Sequence, residues 1–185
     1  MRKKRLKPAD QPALTGFNAD LPEDIRRVFD ELRAQTDRGV ALVGAAYVEE
    51  LLERAIQSRL CVHSPDHRKA LFEGPNSAMG TFSSKIAMAY ALDLVGQPAH
   101  EDMQVIRKIR NEFAHSFEQL SFAASPISER TEALTLPEYV GGSSAADVET
   151  HRCRFIDSVR VLTAFLLAAG SASRPSEPSP SPPRS

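Results

Sequence analysis

The sequence predicts an all-α fold, a single-domain helical bundle of about five to six helices. Three observations predict it. Apolar residues recur at helical spacing through most of residues 20–169, strand-type alternation is almost absent, and Pro, Gly and Ser gather between the periodic stretches. Either side of this domain the composition changes. Residues 1–19 form a polar, basic tail without a clear period, and residues 170–185 form a Ser/Pro-rich tail with five prolines in the last twelve positions. Neither composition can build a packed element, so both tails are expected to be disordered.

The first helix opens at Asp20-Leu-Pro-Glu, with Asp20 as N-cap and Pro22 in the first turn. Ile25, Val28, Phe29 and Leu32 then follow the i, i+3, i+4, i+7 stripe. A second helix runs from near Asp37 to about Leu60. Its apolar and small positions, from Leu42 to Ile56, cover a wide face, which marks a central helix, and Glu49, Glu50 and Glu53 lie on or beside that face. Pro65 and Gly74-Pro75 punctuate a connector that contains a short helical piece around residues 67–72. The fourth helix starts near Thr81, with Thr81 or Ser83 as cap, and carries Ile86, Ala89, Tyr90 and Leu94. Pro98 opens the fifth, whose core stripe is Met103, Ile106, Ile109 and Phe113. Residues 125–144 contain Pro126, Pro137 and Gly141-Gly142 and read as a loop. A closing helix over about 145–169 carries Cys153, Ile156, Val159, Leu162, Leu166 and Ala169.

Composition bounds the function. The chain has 185 residues, 42% of them hydrophobic and 25% charged, the balance of a soluble globular domain that needs no staples. Aromatics are 6% and Trp is absent, which disfavours large base-stacking platforms. Residues 1–7 carry five positive charges, while the rest carries 18 basic against 24 acidic side chains, a net −6. The basic tail can touch phosphates without reading sequence, and the acidic body argues against broad phosphate contact. The most apolar stretch, 159–169, contains Arg160 and is too short to span a membrane, and Pro8 and Pro12 stand where a signal peptide needs an apolar run. A cytoplasmic protein is expected. Cys61 and Cys153 are expected to be buried small hydrophobes under reducing conditions. Cys61, His63 and His67 lie close together, but Pro65 breaks the helix that would give the two histidines a shared face, so no metal or other cofactor is expected.

The richest segment is Val105-Ile-Arg-Lys-Ile-Arg-Asn-Glu-Phe-Ala-His115. Arg110 falls within about 40° of the buried stripe and needs a partner, for which Glu49, Glu50, Glu53 and Glu73 are candidates. Arg107, Asn111 and His115 stand at successive i+4 positions and form a polar stripe beside it. Two readings are open. In one, Arg110 ties two helices together, Asn111 bonds backbone and His115 caps the helix end. In the other, Arg110, Asn111 and His115 are catalytic: His115 moves protons and Arg110 stabilises phosphorane charge in metal-free RNA cleavage. Arg-x4-His, with Asn directly after Arg, resembles the signature of HEPN ribonucleases. No GxSxG, Walker A, GxGxxG or HExxH motif is present. The stretch Gly74–Gly80 reads as a turn leading to an N-cap, although it could also present N–H groups to an anion.

Leu71-Phe-Glu-Gly74, Gly80-Thr-Phe-Ser-Ser-Lys-Ile86, Ala89-Tyr-Ala-Leu92 and Ile106–His115, in that order, resemble the MltR (mannitol operon repressor) family. Asp37-Arg-Gly39, Glu49-Glu-Leu-Leu52 and Arg154-Phe155 fit the same pattern. The resemblance implies an all-helical regulator, a transcriptional repressor or corepressor. No short turn followed by a base-reading helix is present, so sequence-specific DNA binding is not expected and a regulatory protein partner is. The resemblance also gathers Glu73, Lys85, Arg107, Arg110, Asn111 and His115 as a polar motif site, with Glu73 meeting the stripe of the fifth helix. It assigns none of them a catalytic role. A homodimer suits a small helical domain, although no residue fixes it.

Overall fold

The computed structural model describes residues 22–61, 64–74, 76–140 and 148–171. Among them are seven α-helices: α1 (Glu23–Arg33), α2 (Asp37–Arg59), α3 (Pro65–Phe72), α4 (Phe82–Ala91), α5 (Gln97–His115), α6 (Ile127–Glu132) and α7 (Val148–Ser171). A 3-10 helix, Leu136–Val140, joins α6 to the region before α7, and the described residues include no strand.

Local chemistry sets the boundaries. Pro22 takes the N-cap position of α1, one residue before the first turn, and Asp20 lies outside the described residues. Thr36 caps α2 by accepting from the Gly39 amide, and Ser64 caps α3, where Pro65 opens the helix that it could not have continued. Thr81 and Ser84 form a reciprocal capping box at α4, so the donors at that helix start are met within the chain.

α2 is the central helix. It packs most extensively on α7 and also on α5, α4 and α1. Val40, Ala41, Ala45, Val48, Leu52, Ala55 and Ile56 are all fully buried. Gly44 lets α7 come close: a Cβ there would stand 3.2 Å from a Phe155 ring carbon and 3.4 Å from Val159 Cγ2. Phe113, Phe122 and Phe155 make a chain of rings at the same end, with both centroid spacings 5.2 Å. Such packed aromatics add stability beyond their buried area.

Several expectations need correction. The segment read as a loop from 125 to 144 contains α6 and the 3-10 helix. Pro126 and Pro137 stand at the starts of these two elements and do not interrupt them, and Ile127, Leu134 and Leu136 are buried. Gly141-Gly142 lie outside the described residues. Cys61 and Cys153 are both exposed: Cys61 follows the end of α2, and Cys153 sits on the outer face of α7, where Phe155 and Ile156 take the core positions. Tyr90, placed in the apolar stripe of α4, is 46% exposed and stacks on His100. The two tails fall outside the described residues except for Gly170 and Ser171, which complete α7. His63 is also outside them. Among the described residues no group of three or more His, Cys, Asp or Glu could hold a metal ion, and no helix is long and apolar enough to cross a membrane.

Candidate functional site

Glu49 and Glu53 stand one helical turn apart on α2 and project from the same side of it. Between them lies Lys85 of α4. Its neighbours Phe82, Ile86 and Ala89 are core residues, so its aliphatic stem is buried while the ammonium reaches the surface of α2. Lys85 Nζ is 3.0 Å from Glu49 Oε1 and 2.9 Å from Glu53 Oε2, and the lysine side chain is only 8% exposed. Burial by itself would push this ammonium toward deprotonation. The hydrogen bonds and charges of Glu53 and Glu49 more than reverse that, and its pKa lies above the ordinary lysine value.

The network continues in both directions. Arg110 of α5 meets Glu49 Oε2 at 3.4 Å and donates to Asn111 Oδ1 at 3.1 Å. Arg68 of α3 lies 3.6 Å from Glu53 and 2.7 Å from Glu73. An unbroken path of opposite charges thus runs from Arg110 through Glu49, Lys85, Glu53 and Arg68 to Glu73. Along it lies an open groove of about 530 Å³, lined mainly by Glu49, Glu50, Glu53, Arg54, Arg68 and Lys85. Three acids and three cations cancel there.

The structure therefore joins Lys85, Arg110 and Asn111 directly, whereas Glu73 pairs with Arg68 at the opposite end of the path from Arg110 and, contrary to expectation, among the described residues no ion pair or hydrogen bond joins it to the stripe of α5. Arg107 and His115 stand apart from it. Arg107 Nε donates to Gln104 on its own helix, and His115 is exposed in the last turn of α5. Arg110 and His115 are five residues apart, about 140° around the helix, so within one chain they do not converge on a common point.

A second polar cluster, which the sequence analysis does not single out, centres on Asp102. Asp102 lies on the core stripe of α5 and is fully buried. Its Oδ1 accepts from the Thr135 amide and hydroxyl at 2.9 and 3.1 Å, and its Oδ2 accepts from the Leu136 amide and Ser158 hydroxyl at 3.0 and 2.8 Å. Burial raises the Asp102 pKa above the ordinary aspartate value, and these four hydrogen bonds oppose the rise without cancelling it. Arg154 of α7 serves the same segment from the other side, donating to the carbonyls of Thr131 and Leu134 at 3.3 and 2.6 Å. Its periodicity could have marked Asp102, since positions 102, 106, 109 and 113 share one face and a carboxylate there needs donors.

At the end of the bundle where α2 begins, Asp37 accepts from the Phe122 amide at 3.0 Å and Arg38 donates to the carbonyls of Ser116 and Glu118 at 2.9 and 3.0 Å. These bonds fix the loop after α5. Phe117, at its tip, is fully exposed.

No family model matches the chain, and no curated protein matches it significantly. Among solved structures, the fold is similar to that of MtlR in the X-ray structure of the MtlR–HPr complex from Escherichia coli. The TM-score is 0.60 at 16% identity, over 76% of this chain and 96% of that one.

Proposed function

We propose that this protein is a transcriptional regulator, a repressor or corepressor, and that it acts through a protein partner. The observation that carries this reading is the shared backbone: nearly the whole of MtlR, solved with HPr bound, superposes on the helical domain. The order of the sequence motifs supports the same reading. The polar motif residues serve this role by shaping the charged surface of α2, α4 and α5.

Isothermal titration of the purified protein with HPr from the same organism tests the reading. Saturable one-to-one binding is expected, together with derepression of the target transcript when the gene is deleted. No binding, combined with an unchanged transcript profile, would overturn it.

A further inference from the structure

The groove has already spent its charges on itself. A different face has not. On a helical wheel, His100, Gln104, Arg107, Lys108, Asn111 and His115 fall within about 100° of one another, opposite the buried stripe of α5. No acidic side chain interrupts them. The acids of α5 lie elsewhere and are engaged: Glu112 pairs with Arg130 of α6, Glu101 accepts from Gln97, and Asp102 is buried. The adjoining helix, α4, contains no Asp or Glu at all. Among the described residues neither Arg107 nor Lys108 forms an ion pair, although the body of the chain is net acidic and most of its arginines are paired. The face runs about 22 Å along the helix. An exposed aromatic marks each end: Tyr90, stacked on His100 with centroids 4.6 Å apart, and Phe117, held out on a loop whose carbonyls Arg38 pins.

We propose that this outer face of α5, with the edge of α4, is the surface on which a partner protein docks an acidic segment. The inference rests on the reading that the protein works through a partner, and it adds the place and the chemistry. Two adjacent unpaired cations attract carboxylates. Gln104 and Asn111 supply hydrogen bonds, and Tyr90 and Phe117 supply anchors of the type that dominates binding energy at interfaces. A nucleic acid fits less well. Two permanent cations neutralise too few phosphates, and the acidic body repels a long polyanion.

The test is to pan a random-peptide phage library against the immobilised full chain, and then to titrate the enriched peptides by fluorescence anisotropy. Enriched peptides should combine Asp or Glu with an apolar residue. The double variant Arg107→Glu/Lys108→Glu should weaken them about tenfold or more, and Phe117→Ser several-fold, with circular dichroism unchanged. Enrichment without acidic residues, no enrichment, or affinity unaltered in the double variant would overturn the proposal. So would displacement of the peptides by single-stranded RNA. The two readings can fail separately. Acidic peptides bound without HPr binding would remove HPr as the partner and leave this face standing. HPr bound equally well by the double variant, with no acidic peptides enriched, would remove this face and leave the regulator.

Discussion

The two polar networks of this protein solve the same problem in opposite ways. Around Lys85 charged side chains meet charged side chains, and the side chains of Glu49 and Glu53 are 18% and 19% exposed. Around Asp102 and Arg154 charged side chains meet backbone, and little water reaches either: Asp102 is fully buried and Arg154 is 8% exposed. The first network joins four helices that already share a core. The second holds in place a segment, 131–136, whose own hydrogen bonding is that of short turns. The acid takes its N–H groups and the arginine takes its carbonyls. A buried charge without donors costs several kcal/mol, so this arrangement is tolerable only while all partners are present. The difference separates a fastening from a surface. What is dry and bonded to backbone maintains the fold, and what is wet and internally neutral can change without unfolding the chain.

The strongest way to break this comparison is Asp102→Ala. It strands the Leu136 amide and the Ser158 hydroxyl in the core and removes the acceptor that holds the exposed Thr135, and should destabilise by about 3–5 kcal/mol in urea unfolding. A loss below about 1 kcal/mol would show that water reaches the site and that the contrast is false. Asp102→Asn sharpens it through pH. Because the folded pKa of Asp102 is raised, its contribution to stability is complete below the ordinary aspartate pKa and is lost as pH rises through the folded value. The stability gap between wild type and Asp102→Asn should therefore widen as the solution is acidified from neutral. A gap that narrows would mean that the four donors, and not burial, control the group.

Much of the first network could be read from the sequence, because its partners are side chains, most of them on helices that the periodicity already predicts. Placing Arg110 on the shoulder of the α5 stripe called for an acid, and the structure supplies Glu49, one of the four named. Lys85 followed only from the motif order, since a single lysine on an apolar face has no spacing that points to its partners. The second network was hidden for a physical reason. The partners of Asp102 are mostly backbone groups, which every residue carries, and they sit in a stretch whose prolines read as breaks. Those prolines start α6 and the 3-10 helix, and the segment is ordered by contacts to α5 and α7 and not by its own propensity. Cys153 and Tyr90 are exposed because phase outweighs residue type: an apolar side chain off the stripe faces outward whatever its chemistry, while Cys61 lies beyond the end of α2, where no stripe runs.

Lys85→Met should have an intermediate effect. The stem is preserved and its packing kept, but Glu49 and Glu53 lose the cation between them. They remain partly solvated, and Arg110 and Arg68 still hold their outer sides. A loss of about 1–3 kcal/mol is expected by thermal and urea unfolding. The raised Lys85 pKa fixes the sign with pH. The contribution of the lysine is present at neutral pH, and fades only as the solution is made alkaline past the ordinary lysine value and through the folded one. A difference between wild type and variant that grew with alkalinity would mean that burial, and not the two glutamates, sets the lysine.

Arg110→Ala should have the smallest effect, and it is the decisive one for the groove. The Arg110 side chain is 36% exposed and its guanidinium meets Glu49 at 3.4 Å, a looser pair than Lys85 makes with the same acid. Glu49 keeps its lysine when the arginine is gone, so no buried charge is left alone. A change below about 1 kcal/mol is expected, with the helical circular dichroism spectrum intact. If Arg110→Ala were as damaging as Asp102→Ala, the ion-pair path would be a fastening of the same kind, and the helix carrying it could not present a surface that varies independently of the fold. If the loss is small, α5 divides along its length into two functions. Its inner face, through Asp102, holds the 131–136 segment in place. Its shoulder and outer face, from Arg110 round to Arg107 and Lys108, stay available for recognition.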